Sequence, residues 1–138
     1  MTKPARTTLL ALIEAGQNAQ RVLIRPLIER GLEPGDDAVL MLIGTRGATE
    51  ADLEEGTSEP LDNLRPRLER LVARELIVRT AAGLALTERG ARLRDRLEEI
   101  WAETELALTG KLKKKRRKEL AKLLIGFADF LRRRGGAG

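Results

Sequence analysis

At 138 residues the chain has the length of one ordinary domain, or of a small core with association arms. Its 42% hydrophobic and 34% charged residues fit a helical globular protein and exclude wholesale disorder, while 2% aromatics leave the core to Leu, Ile, Val and Ala. Lys and Arg number 26 against 21 Asp and Glu, a net charge of +5 that mildly favours a polyanionic partner, and the absence of Cys and His excludes disulfides, thiolate metal sites and the commonest general base.

Residues 1–6 read as loose. From Thr7 or Thr8, either of which can cap a helix, Leu9, Leu12, Ile13, Gly16, Leu23, Leu27 and Ile28 mark a long first helix. Pro26 predicts a kink near its end, and Gly31 closes it. The string LEPGDDAVLMLIG opens on a Pro-Gly turn with an Asp able to cap, then gives a short, mostly buried helix over Ala38, Val39, Leu40, Leu42 and Ile43. Residues 44–47 form a loop too short to cradle a phosphate. Thr49 begins a third helix whose Thr-x-x-Asp spacing is a capping box by analogy, with Asp in place of the usual Glu or Gln. Residues 56–59 read as the turn that follows, with Pro60 in the first turn of the next helix.

The stretch 60–86 carries most of the information. Leu61, Leu64, Leu68 and Leu71 recur at three- and four-residue steps, the spacing of a helix with one buried stripe. Leu76 to Arg79, then Ala-Ala-Gly, then Leu84 and Leu86 read as two short strands about a turn. Thr87 caps a long helix of about 22 residues, or about 33 Å, whose apolar face holds Leu93, Leu97, Ile100, Trp101 and Leu108. After Thr109 and Gly110 comes the run KLKKKRRK, residues 111–118, and then a last helix with Leu120, Leu123, Leu124, Phe127 and Leu131. Residues 132–138 should fray. There is no internal repeat and no sign of a second domain. No secretory signal is recognisable and no apolar run approaches the roughly 20 residues of a membrane span, so a cytoplasmic location without a membrane partner is expected.

The order of these elements resembles the multiple antibiotic resistance regulator (MarR) family of bacterial repressors over residues 7–134. Gly31 to Asp36 followed by Val39-Leu40 resembles the family's entry to its second helix, and Thr49 to Leu53 the start of its third. Leu71 to Arg79 resembles the exit of the recognition helix into the first wing strand, with Glu75 where the family usually has Gly. Leu86-Thr87-Glu88-Arg89-Gly90 matches the wing exit, and Leu112, Leu120, Leu123 and Leu124 match the spacing of the last helix.

The resemblance implies a mainly α fold with a short β-hairpin: one domain over residues 1–138, with a winged helix-turn-helix core at 32–86 flanked by dimerisation helices at 7–31 and 87–134. It implies a homodimeric transcriptional regulator of double-stranded DNA, a repressor open to release by a small-molecule effector. The residues agree independently on dimerisation, because the core leaves three apolar-striped helices that nothing else in the chain can cover. A two-fold dimer would offer two recognition helices to major grooves about 34 Å apart on a pseudo-palindromic operator. Enzymatic chemistry is not expected: no carboxylate pair or Lys/Ser arrangement is signalled, and nothing calls for a cofactor or metal.

With the leucine stripe inward, Asp62, Pro66, Glu69, Arg70 and Ala73 face outward, flanked by Asn63, Arg65 and Arg67. Asn can pair with adenine, Arg with guanine, and Asp can accept from cytosine. Arg70, Arg74 and Arg79 suit phosphate contacts, which set affinity and register. The bland alternative is a solvated helix face of mixed charge. Two features depart from the family. Pro66 stands where relatives often carry a polar or basic residue, and would cost little if the helix began near Asp62. The hairpin Thr80-Ala81-Ala82-Gly83 lacks the Asp- and Arg-containing tip through which relatives enter the minor groove, so that contact is expected to be lost. The competing function is therefore a winged-helix dimer that no longer reads operators and acts through protein–protein contacts.

Two further features stay open at this level. Residues 111–118 are either a DNA or acidic-protein contact, or a solvated loop or one that pairs with Glu98, Glu99 and Glu103 of the dimer. The resembled fold places that junction away from the operator. Trp101, Phe127 and Phe130 are either core or the lining of a ligand pocket.

Overall fold

A computed structural model describes residues 7–136. The elements run α1 (Thr8–Glu29), α2 (Asp36–Ile43), α3 (Glu50–Thr57), α4 (Leu61–Ala73), β1 (Ile77–Thr80), β2 (Gly83–Leu86), α5 (Glu88–Thr109) and α6 (Lys114–Gly136). This is the mainly α fold with a short hairpin that the sequence predicts. The chain divides into two compact units, one ending at Ile100 and the other beginning at Trp101.

In the first unit α1 begins where a Thr can cap it: the Thr7 hydroxyl accepts from the Leu10 N–H at 3.1 Å. Pro26 lies inside the helix, and Gly31, at φ +71°, ends it. The Gly31 N–H donates to Ile28 and the Leu32 N–H to Leu27, both at 2.9 Å, which closes the last carbonyls in the paired pattern of a Schellman motif. The same motif ends α4, where Glu75 donates to Val72 and Leu76 to Leu71. There the left-handed residue is Glu75, at φ +60°, rather than glycine. A side chain in that conformation is strained by about 1 kcal/mol.

Three short helices and the hairpin close around one aliphatic core. Leu27, Leu32, Val39, Leu40, Ile43, Leu53, Leu64, Leu68, Leu71, Leu76, Ile77, Leu84 and Leu97 are buried in it, without an aromatic among them. The composition required such a core. In α3 the capping box is complete with Asp in the acidic role: Asp52 accepts from the Thr49 N–H and the Thr49 hydroxyl from the Asp52 N–H, both at 3.0 Å. The helix extends to Thr57, two residues into the expected turn, and Ser58 ends it in the left-handed conformation. β1 and β2 pair antiparallel with Thr80 opposite Gly83, so Ala81 and Ala82 alone form the wing tip. Ala48 adds a rung beyond them by exchanging two hydrogen bonds with Leu84, at 2.9 and 2.8 Å. At the exit the Thr87 hydroxyl donates to the Glu75 carbonyl at 2.6 Å and accepts from the Gly90 N–H at 3.0 Å, starting α5 as expected.

The second unit holds the end of α5, the turn at 110–113 and α6. The Thr109 hydroxyl bonds back to Glu105 at 2.8 Å, and the Leu112 N–H to Thr109 at 2.9 Å. Two expectations change here. The basic run is not wholly a loop, since α6 begins at Lys114 and takes most of it into its first turns. Residues 132–136 are helical rather than frayed. Residues 1–6, expected to be loose, and 137–138 lie outside the described set. Taken by itself this unit leaves Leu106, Leu108, Leu123, Ile125 and Phe130 more than half exposed. Among the described residues no helix is long and apolar enough to cross a membrane.

Candidate nucleic-acid interface

The helix that would read DNA is seated by three fully buried leucines, Leu64, Leu68 and Leu71, with Leu61 only half covered. This leaves Asp62, Asn63, Arg65, Pro66, Glu69 and Ala73 exposed along one side of α4. The helix starts at Leu61 with Pro60 as its N-cap, so Pro66 falls in the second turn and not, as the sequence allowed, in the first. Proline has no N–H, and the Asp62 carbonyl therefore loses its helical donor.

The arginines assigned to DNA separate into two groups. Arg67, Arg70 and Arg74 are used inside the chain. The Asp36 carboxylate, fully buried at the start of α2, accepts from Arg67 Nη1 at 2.7 Å and Arg70 Nη2 at 2.6 Å through one oxygen. Its other oxygen accepts from the Glu33 N–H at 2.9 Å. Arg67 also reaches the Pro34 carbonyl at 2.9 Å and Glu59 at 3.3 Å, and Arg70 pairs with Glu33 at 3.4 Å. Burial pushes the Arg67 pKa down, but the hydrogen bond with Asp36 and the charge of Glu59 outweigh it, and the pKa is raised. Gly35 makes room for this guanidinium: it has φ +99°, and a Cβ there would sit 2.9 Å from the guanidinium carbon. Arg74 donates to the carbonyls of Gly31 and Arg30, the latter at 3.2 Å, and so caps the end of α1.

Arg65 and Arg79 are paired only at the surface. Both meet Glu50 in the first turn of α3, each at 3.3 Å, and Arg79 also pairs with Glu69. Their side chains are 58% and 46% exposed. The hydrogen bond with Glu69 raises the Arg79 pKa against a small loss to burial. Exposed pairs of this kind contribute about 0–1 kcal/mol, so either arginine can exchange its carboxylate for a phosphate at small cost. The pairs that hold Asp36 cannot be exchanged this way, because a buried carboxylate would be left uncompensated.

Sequence reasoning placed Arg70 outward and overlooked Asp36 as the centre of the arrangement, having treated the local Asp only as a helix cap. A signal was available: residues 32–86 carry eleven acids against six cations, a net −5. In so acidic a segment arginines find partners. The wing adds no basic tip, since Ala81 and Ala82 are its only tip residues.

Neither protein-family models nor curated proteins match the chain, but solved structures do. A MarR-family transcriptional regulator from Rhodococcus sp. RHA1 superposes with a TM-score of 0.80 at 20% identity, covering 88% of this chain and 93% of that one. A putative MarR-family regulator from Listeria monocytogenes, solved with a 26mer DNA, gives 0.85 at 13% identity, covering 93% and 91%. CouR from Rhodococcus jostii RHA1, bound to p-coumaroyl-CoA, gives 0.78 at 18% identity, covering 86% and 90%. At these identities the likeness establishes the fold: the winged helix-turn-helix of MarR-type regulators.

Proposed function

We propose that this winged-helix chain is a homodimeric DNA-binding transcriptional regulator of the MarR type, acting in the cytoplasm as a repressor. In each protomer α4 enters the major groove of a pseudo-palindromic operator, and a small ligand releases the complex. Residues 32–86 are the reading core, and residues 7–31 and 87–134 form the dimer. The observation that carries the reading is the exposed edge of α4. Asp62, Asn63 and Arg65 lie in its N-terminal half, the part of a recognition helix that meets base edges, with Arg79 beside them for phosphate. Arg67, Arg70 and Arg74 then act by holding α4 against α2 and the end of α1, not by touching DNA. Dimerisation is supported by the apolar side chains of α6 and the end of α5, which a single copy of the second unit leaves uncovered. Likeness to a regulator solved on DNA and to another solved with an acyl-CoA thioester supports the partner classes.

A gel-shift assay with the DNA upstream of the chain's own gene, at two salt concentrations, tests this reading. A sequence-preferring, salt-sensitive complex is expected, and its absence at both concentrations contradicts it. The acidic balance of residues 32–86 favours a second reading, in which the fold is kept as a protein-interaction dimer. Under that reading no duplex is preferred at any salt concentration.

A further inference from the structure

The net charge of +5 is not spread over the molecule. Residues 1–100 hold fifteen cations and seventeen acids, a net −2; residues 101–138 hold eleven cations and four acids, a net +7. Seven of the eleven fall in the eight residues 111–118, interrupted only by Leu112. All seven are exposed, and among the described residues none has an acidic partner. Two of the acids expected to neutralise them are engaged within α5, Glu98 with Arg94 at 3.3 Å and Glu99 with Arg96 at 3.4 Å.

The placement of these charges on α6 is unfavourable for an isolated helix. Lys114 to Arg117 fill the first turn, which has no acid, at the end where the helix dipole is already positive. Like charges at three- and four-residue spacing repel as well. Such an arrangement is stabilised by a bound polyanion. Successive residues of an α-helix step by about 100°, so Lys114 to Lys118 project in every direction around the axis. A helix lying on a lipid surface confines its cations to one polar face and interleaves apolar anchors, and Lys114 to Lys118 have neither feature. Cations on all sides suit a rod of closely spaced phosphates, which offers one charge per about 1.7 Å of duplex.

We infer that residues 111–118 are a second, sequence-independent DNA contact, which binds the phosphates of a duplex apart from the one that α4 reads. The contact goes beyond operator reading by α4 and does not depend on it.

The test uses the full chain and a 40-base-pair duplex of random sequence, with binding followed by fluorescence anisotropy between 50 and 300 mM salt. The variant carrying K113Q, K114Q, K115Q, R116Q and R117Q should lower the slope of log affinity against log salt by at least about 3, and weaken binding at 50 mM by at least about 100-fold. A two-site variant, K113Q with K114Q, covers the case where five substitutions disturb the fold; it should lower the slope by about 1 to 2. Swapping Lys for Arg and Arg for Lys at the five positions should leave the slope in place, since the charge and not the side chain matters. Operator reading is followed separately, as the preference of the same variants for a selected duplex over a scrambled one, so its failure would be seen apart from the random-duplex slope. An unchanged slope in both neutralised variants overturns the inference. So does tighter binding of the unmodified chain to phosphatidylserine vesicles, or to a poly-glutamate peptide, than to the duplex at equal charge.

Discussion

On the reading core, every arginine of α4 and β1 meets a carboxylate or a carbonyl; on residues 111–118 none of seven cations meets an acid among the described residues. The first group is entirely Arg, whose planar fork suits a shared carboxylate such as Asp36. The second is mostly Lys, hydrated point charges on flexible stems. The difference is one of use. In the core, positive charge sets the positions of helices; in the run it is left free to act at a distance. Net charge read for the whole chain averages over the two and conceals both.

The comparison breaks most visibly if Asp36 is unimportant. Asp36→Ala strands two partly covered guanidiniums and the Glu33 N–H, and should cost about 3 kcal/mol in urea unfolding. A loss below about 0.5 kcal/mol, the size of an ordinary surface substitution, would remove Asp36 from the centre of the arrangement. Next comes Arg70→Ala. Its side chain is one-third exposed, so the expected loss is smaller, about 1–2 kcal/mol of stability. Random-duplex affinity should change little once folding is complete. Unchanged stability with an even loss of DNA affinity would return Arg70 to the phosphate-contact role its sequence position first implied.

Glu75→Gly relieves the left-handed residue at the end of α4 and should raise stability by about 1 kcal/mol. A destabilised variant would show that the Glu75 side chain contributes more than its strain removes. The smallest effect concerns Asp52, whose pKa is lowered from 3.8 by the Thr49 backbone N–H and then by the Thr49 hydroxyl. Its contribution is therefore complete above 3.8 and is lost as pH falls through the depressed folded value. Asp52→Asn should flatten the unfolding midpoint against pH below about 4 relative to the unmodified chain. Parallel curves for the two proteins would leave the capping box without an electrostatic part.

Periodicity made most of this fold legible. The stripe Leu61, Leu64, Leu68 and Leu71 identified α4, Thr7, Thr49 and Thr87 marked helix starts, and Gly31 marked an end. These signals are local: a cap, a turn residue or a stripe acts on neighbours within a few positions. The partners of Arg67, Arg70 and Arg74 lie 31 to 44 residues away along the chain, and no spacing rule reaches that far. Arg70 therefore looked outward from the helix stripe, whereas a distant buried carboxylate draws it back. Pro66 was misplaced for a related reason. Pro60 is the cap and the helix begins at Leu61, one residue before the start near Asp62 that would have kept Pro66 nearer the first turn. The basic run was visible at once, but its bareness was not, because that depends on where Glu98 and Glu99 find their partners.

The central claim is that reading and holding reside in different places, and a double dissociation tests it most directly. The preferred duplex would first be selected from a random pool with the unmodified chain. Affinity for it, and for a scrambled duplex, would then be measured across salt for Asn63→Ala and for the five-site variant of residues 113–117. The account predicts that Asn63→Ala lowers the preferred-to-scrambled ratio by about 10-fold or more, roughly the 1–3 kcal/mol of one base contact, and leaves the salt slope alone. The five-site variant should lower the slope and leave the ratio alone. Both quantities falling together in either variant, or neither moving in both, would contradict it.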